Sequence, residues 1–88
     1  MTEVATLVSA QDYTVPSDGY VICKLNYDVY PNNKILFLRV NNVVVLQVNP
    51  SEYNGDYFSI FVKKGSVVRF SLQNIYASDA ECKFYAFT

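Results

Sequence analysis

The stretch ILFLRVNNVVVLQV (residues 35–48) reads as two six-residue apolar arms around an Asn-Asn pair. Val, Ile, Leu and Phe fill the arms, and β-branched and aromatic side chains suit a pleated, half-buried backbone. Asn41 and Asn42 are left as a two-residue hairpin loop, because asparagine tolerates the positive φ of a tight reversal. Successive strand side chains point to opposite faces. Leu36, Leu38 and Val40 share one face of the first arm, while Ile35 and Phe37 sit beside Arg39 on the other. The second arm sets Val44, Leu46 and Val48 against Val43, Val45 and Gln47. Both faces of the hairpin are therefore largely apolar. Each sheet of a two-layer sandwich has one interior face, so a second apolar face needs a cover. Association with other copies is the expected cover, with Ile35, Phe37, Val43 and Val45 as the subunit interface. The alternative is that tyrosines or the segment 49–56 fold back over it.

The same reading extends outward. Short runs rich in Val, Ile, Phe and Tyr predict strands at 5–9, 12–15, 20–27, 35–40, 43–48, 57–62, 67–73 and 81–87. No window keeps a 3.6-residue apolar period long enough for a helix. Between the runs lie turn signals: PSDG (residues 16–19), YPNNK (30–34) and VKKGS (62–66), with Gly65 as the expected left-handed residue. Lys63 and Lys64 fall in that last turn, where solvated residues belong, and no other basic cluster joins them. Longer connections are expected at 49–56 and 74–80. The whole chain reads as one all-β domain, residues 1–88, built as a two-sheet antiparallel sandwich or barrel of seven or eight strands.

Composition bounds the function. A formal charge of −1, with 7 basic residues scattered among 8 acidic ones, gives no stripe of either sign. Nucleic-acid binding by phosphate neutralisation is therefore not expected. No run approaches the ~18 apolar residues of a membrane-spanning helix, and no membrane insertion is expected. The N-terminal MTEVATLVSA lacks a basic region and carries Glu3, so no signal peptide is expected and the chain is read as made in a cytoplasm.

There is no histidine, which removes the commonest general base and metal ligand. No catalytic residue, metal site or cofactor is expected. Cys23 and Cys82 fall on apolar strand faces and are read as buried, reduced thiols. A disulfide would need their Cα atoms within about 7 Å, which sequence spacing does not give. With 8 Tyr in the chain, several fall at strand ends or in connections. Tyr offers an apolar ring with a polar tip, suited to sugar or protein contact. The candidate ligand or receptor residues are Tyr30, Asn32 and Asn33, then Glu52, Tyr53, Asn54 and Asp56, and finally Tyr76. The opposing possibility is that Tyr serves only strand propensity and cover.

Three stretches carry a resemblance. YTVPSDGYVICKLNY (residues 13–27) is similar to the opening of the small β-sandwich head modules of bacteriophage tail fibres and related virion fibres. FVKKGSVVRFSL (61–72) resembles the Val-Lys-Lys-Gly-Asp-x-Val hairpin of those modules and of C1q/TNF-like jelly rolls, with Ser66 where Asp is usual. CKFYAF (82–87) resembles their closing aromatic strand. The resemblance implies a jelly-roll-like sandwich, a homo-oligomer and specifically a trimer, located in a virion and used for attachment to a cell-surface receptor or glycan. Two other functions stay open: a small carbohydrate- or metabolite-binding module, and a phage-encoded inhibitor of a host protein.

Overall fold

The computed structural model describes residues 2–25, 35–48 and 57–87. They form eight strands: β1 (Thr2–Thr6), β2 (Tyr13–Thr14), β3 (Gly19–Leu25), β4 (Ile35–Val40), β5 (Val43–Val48), β6 (Tyr57–Val62), β7 (Val67–Gln73) and β8 (Ala80–Ala86), with one 3-10 turn at Ala77–Asp79. The strands make two four-stranded antiparallel sheets, ordered β1-β8-β3-β6 and β2-β7-β4-β5.

The pairing is nested. β4 pairs with β5, β3 with β6, β2 with β7 and β1 with β8. Two further ladders, β3 with β8 and β4 with β7, fuse these hairpins into sheets. A long hairpin folded over in this way is a jelly roll, so the architecture is the expected all-β sandwich.

Local chemistry accounts for the turns. Asn41 and Asn42 take φ of 52° and 67°, and Gly65 takes φ of 87°. These are the positive values that Asn and Gly adopt at least cost.

Four strands differ in their bounds from the sequence reading: β1, β2, β3, which begins at Gly19 rather than Tyr20, and β8, which spans Ala80–Ala86 rather than 81–87. β1 occupies Thr2–Thr6 rather than 5–9, because it is an exposed edge strand with no apolar alternation to mark it. Leu7 is buried just past its end, and its N–H still donates to the Cys82 carbonyl at 2.8 Å. The apolar Leu7 and Val8 drew the expected strand toward the C-terminus. β2 spans two residues, and β8 begins one residue earlier than expected.

The core lies between the sheets. Val21, Cys23, Leu25, Val62, Cys82 and Phe84 come from one sheet, and Leu36, Leu38, Val48, Val68 and Phe70 from the other. Tyr13 crosses between layers, its ring centroid 6.0 Å from that of Phe84. Among the described residues, no polar or charged side chain is fully buried. The interior is thus a dry apolar layer, and chemistry with a ligand falls to the surface and the ends.

Candidate functional site

The register separates the two ends of the sandwich. At one end the connections are short and bonded to each other. Val15 N–H donates to the Ser66 carbonyl and Gly65 N–H to the Val15 carbonyl, both at 2.9 Å. Lys64 N–H donates to the Asp18 carboxylate at 2.8 Å. Asn41 bonds Val67 twice, donating its N–H at 2.8 Å and accepting at its side chain at 2.9 Å. Lys63 and Lys64 are exposed here, at the turn where the sequence put them.

The other end carries the long connections. Leu25 lies opposite Ala80, Lys24 opposite Tyr57, Ile35 opposite Gln73 and Leu36 opposite Val48. These strand ends flank segments 26–34, 49–56 and 74–79. The candidate residues Tyr30, Asn32, Asn33, Glu52, Tyr53, Asn54 and Asp56 lie outside the described residues. Tyr76 is described and is 77% exposed, immediately before the 3-10 turn. At this same end Leu7, Ser9, Phe70, Ser78 and Glu81 border a half-open depression of about 360 Å³. That is near the lower limit for small-molecule sites.

The candidate subunit interface divides in two. Ile35 and Phe37 are half-buried, and the Arg39 guanidinium sits 5.5 Å from the Phe37 ring centroid while donating to Ser71 Oγ at 3.1 Å. Arg39 faces Arg69 across the ladder, and Arg69 pairs in turn with Asp12 at 3.7 Å. Each guanidinium therefore has its own partner, which offsets the like-charge repulsion of that cross-strand pair.

On β5 the simple alternation fails. Leu38 pairs with Leu46, but Arg39 pairs with Val44, so Val45 is an extra residue. This bulge moves Val44, expected on the core face, to the outer side with Arg39, and Val43, expected on the outer face, to the side of Val40. Val43, Val44 and Val45 are 61%, 43% and 43% exposed, and they lie together on the edge strand of their sheet.

A second apolar surface escaped the sequence reading. Tyr20, Phe61 and Phe87 meet on the outer face of the other sheet. Tyr20 stands edge-on to both rings, at 5.9 and 5.3 Å, while Phe61 and Phe87 stack at 5.9 Å. Tyr57 lies farther along β6 with the Lys24 ammonium 5.4 Å from its ring centroid. The available signal was alternation in 57–62: Phe58, Ile60 and Val62 on one face still leave Tyr57 and Phe61 on the other.

Among the described residues, no group of three or more His, Cys, Asp or Glu could hold a metal, and no helix is long and apolar enough to cross a membrane. The chain matches no family model, no curated protein and no solved structure. Its function is therefore argued from its surfaces.

Proposed function

We propose that the chain is a non-enzymatic, self-associating jelly-roll module. It serves as an attachment or decoration unit of a phage-like particle, in the manner of a fibre head. Copies pack through the outer face of β4 and the edge of β5, and the end carrying the long connections turns toward a receptor or glycan. The observation that carries this reading is the run of exposed valines, Val43 to Val45, on an edge strand. An uncharged, apolar edge is a template for pairing with another chain; the bulge at Val45 interrupts its ladder, but no charged residue of β5 guards it. Closed cyclic assemblies hide edges and apolar faces together, and the resemblance to fibre heads favours the trimer among them. The segments with candidate Tyr and Asn residues all leave from one end, which supports the attachment role. Size-exclusion chromatography with light scattering is the test. The expected particle is three times the 10.0 kDa chain, and a monomer at micromolar concentration removes the reading.

The aromatic surface favours a second reading, a monomeric carbohydrate-binding module. Exposed rings at Tyr57, Phe61 and Phe87 offer flat apolar faces of the kind that stack on sugars. A glycan array probed with the native chain and with Phe61→Ala distinguishes it. Binding lost in Phe61→Ala supports this reading, and no glycan bound by either chain sinks it.

A further inference from the structure

The two cysteines, 59 residues apart in the chain, stand directly opposite each other on β3 and β8. Directly opposed residues of an antiparallel pair have Cα atoms about 4.5 or 5.5 Å apart, and both values fall inside the disulfide range of about 4.4–6.8 Å. Cys82 Sγ–H points at Cys23 Sγ across 2.8 Å. Sulfur is larger than carbon, whose unbonded pairs rest at about 3.5–4.0 Å, so the two sulfurs are closer than non-bonded neighbours. Both side chains are fully buried in the apolar layer, on the two central strands of their sheet. The chain has no third cysteine to compete for them, and among the described residues the other buried core side chains are aliphatic or aromatic.

We propose that Cys23 and Cys82 are a cross-linking site: under oxidising conditions they bond to each other and tie the two central strands of the sheet together. The oxidant is a small-molecule disulfide such as oxidised glutathione. One cysteine thiolate attacks a glutathione sulfur and expels the other glutathione as thiolate. The second cysteine then attacks the protein sulfur of that mixed disulfide and expels the remaining glutathione. In sum, two protein thiols and one oxidised glutathione give one protein disulfide and two reduced glutathiones, the two thiol protons leaving with them.

Burial directs when this happens. A thiol with no exposed surface is shielded from the oxidant in the folded chain. The hydrogen bond to Cys23 and burial also push the Cys82 thiol above its ordinary value, which keeps it protonated. The bond therefore forms while the chain is still folding, and once formed it is equally shielded from reductant.

The test refolds the reduced, full-length chain in a buffer of reduced and oxidised glutathione and reads its mass after acid quenching. The expected product is a single chain lighter by two hydrogens, in which a non-reducing peptide map joins the Cys23 and Cys82 peptides. Its thermal midpoint lies about 10 °C or more above that of the reduced chain, as closing a long loop predicts. Cys82→Ala, treated identically, retains a free thiol or takes one glutathione, and gains no midpoint. Wild-type chain that ends with two free thiols, glutathione adducts or chain-to-chain dimers overturns the proposal. So does an intramolecular bond with no rise in midpoint. The wild-type mass decides the matter even if the alanine variant does not fold.

Discussion

The Asp18 carboxylate accepts a hydrogen bond from the backbone N–H of Lys64 at 2.8 Å, joining two turns 46 residues apart. The same Asp18 accepts from Phe87 N–H through its backbone carbonyl at 3.1 Å. One residue thereby holds the turn before β3, the turn after β6 and the segment after β8. Asp18→Ala removes the side-chain acceptor and is expected to cost about 1 kcal/mol. That lowers the thermal midpoint by about 4–8 °C. Asp18→Asn keeps an oxygen in place and recovers most of the loss. Amide exchange at Lys64 should quicken in the alanine variant and not in the asparagine one.

Gly19 is held for a different reason. A Cβ built there lies 2.1 Å from the Tyr85 carbonyl oxygen, 2.9 Å from the Phe84 ring and 3.0 Å from Ala86 Cα. Two of those neighbours are backbone in the paired strand β8, so they cannot rotate aside. Gly19→Ala must force β3 and β8 apart and is expected to cost about 3 kcal/mol or more. Chemical unfolding reads this as a lower midpoint with an unchanged slope.

Val45→Lys tests the proposed interface without touching the core. Val45 is the bulged residue of β5 and is exposed, so the isolated chain should change by no more than about 0.5 kcal/mol. A charge placed in an apolar contact should nonetheless dissociate the assembly. Light scattering should show a monomer with unaltered far-ultraviolet circular dichroism. An oligomer that survives the substitution means the copies meet elsewhere.

Lys83 links stability to alkaline pH. The hydrogen bond from its ammonium to Glu3, at 3.0 Å, raises its pKa above 10.5, aided by the charges of Glu3 and Glu81. A raised lysine pKa adds stability that is complete below the unfolded value and disappears as pH climbs through the folded one. The contribution should therefore be constant at neutral pH and vanish on the alkaline side. Glu3→Gln should return the Lys83 titration, followed by NMR, toward its ordinary value. High salt should do part of the same, since at 1 M the screening length is about 3 Å.

Much of this fold was legible because its signals are local. Apolar, β-branched runs bounded by turn residues located β4, β5, β6 and β7 at their observed bounds. Asn41, Asn42 and Gly65 announced turns through their own backbone freedom. Illegible features depend on how strands register and on which strands become neighbours. The displacement of Val44 follows from how β5 registers against β4, and a bulge leaves no mark in a run of three valines. Tyr20, Phe61 and Phe87 meet only because β6 and β8 both flank β3. Asp18 reads as an ordinary turn residue, and its bond to Lys64 appears only once the two turns share an end. The opposition of Cys23 and Cys82 is likewise a matter of strand order, which spacing does not encode.

The nesting of the strands also sets a timetable. Thr2 pairs with Ala86, so β1 meets its partner only once the chain has been made out to Ala86. At about 5–20 residues per second of synthesis, β1 waits roughly 4–17 s with its backbone ladder empty. The β4–β5 hairpin, joined by a two-residue turn, can close within microseconds of emerging. A strand that must wait so long is safest when it attracts little. β1 offers Thr2, Glu3 and Thr6 in place of an apolar stripe, a composition suited to idling in water beside a ribosome.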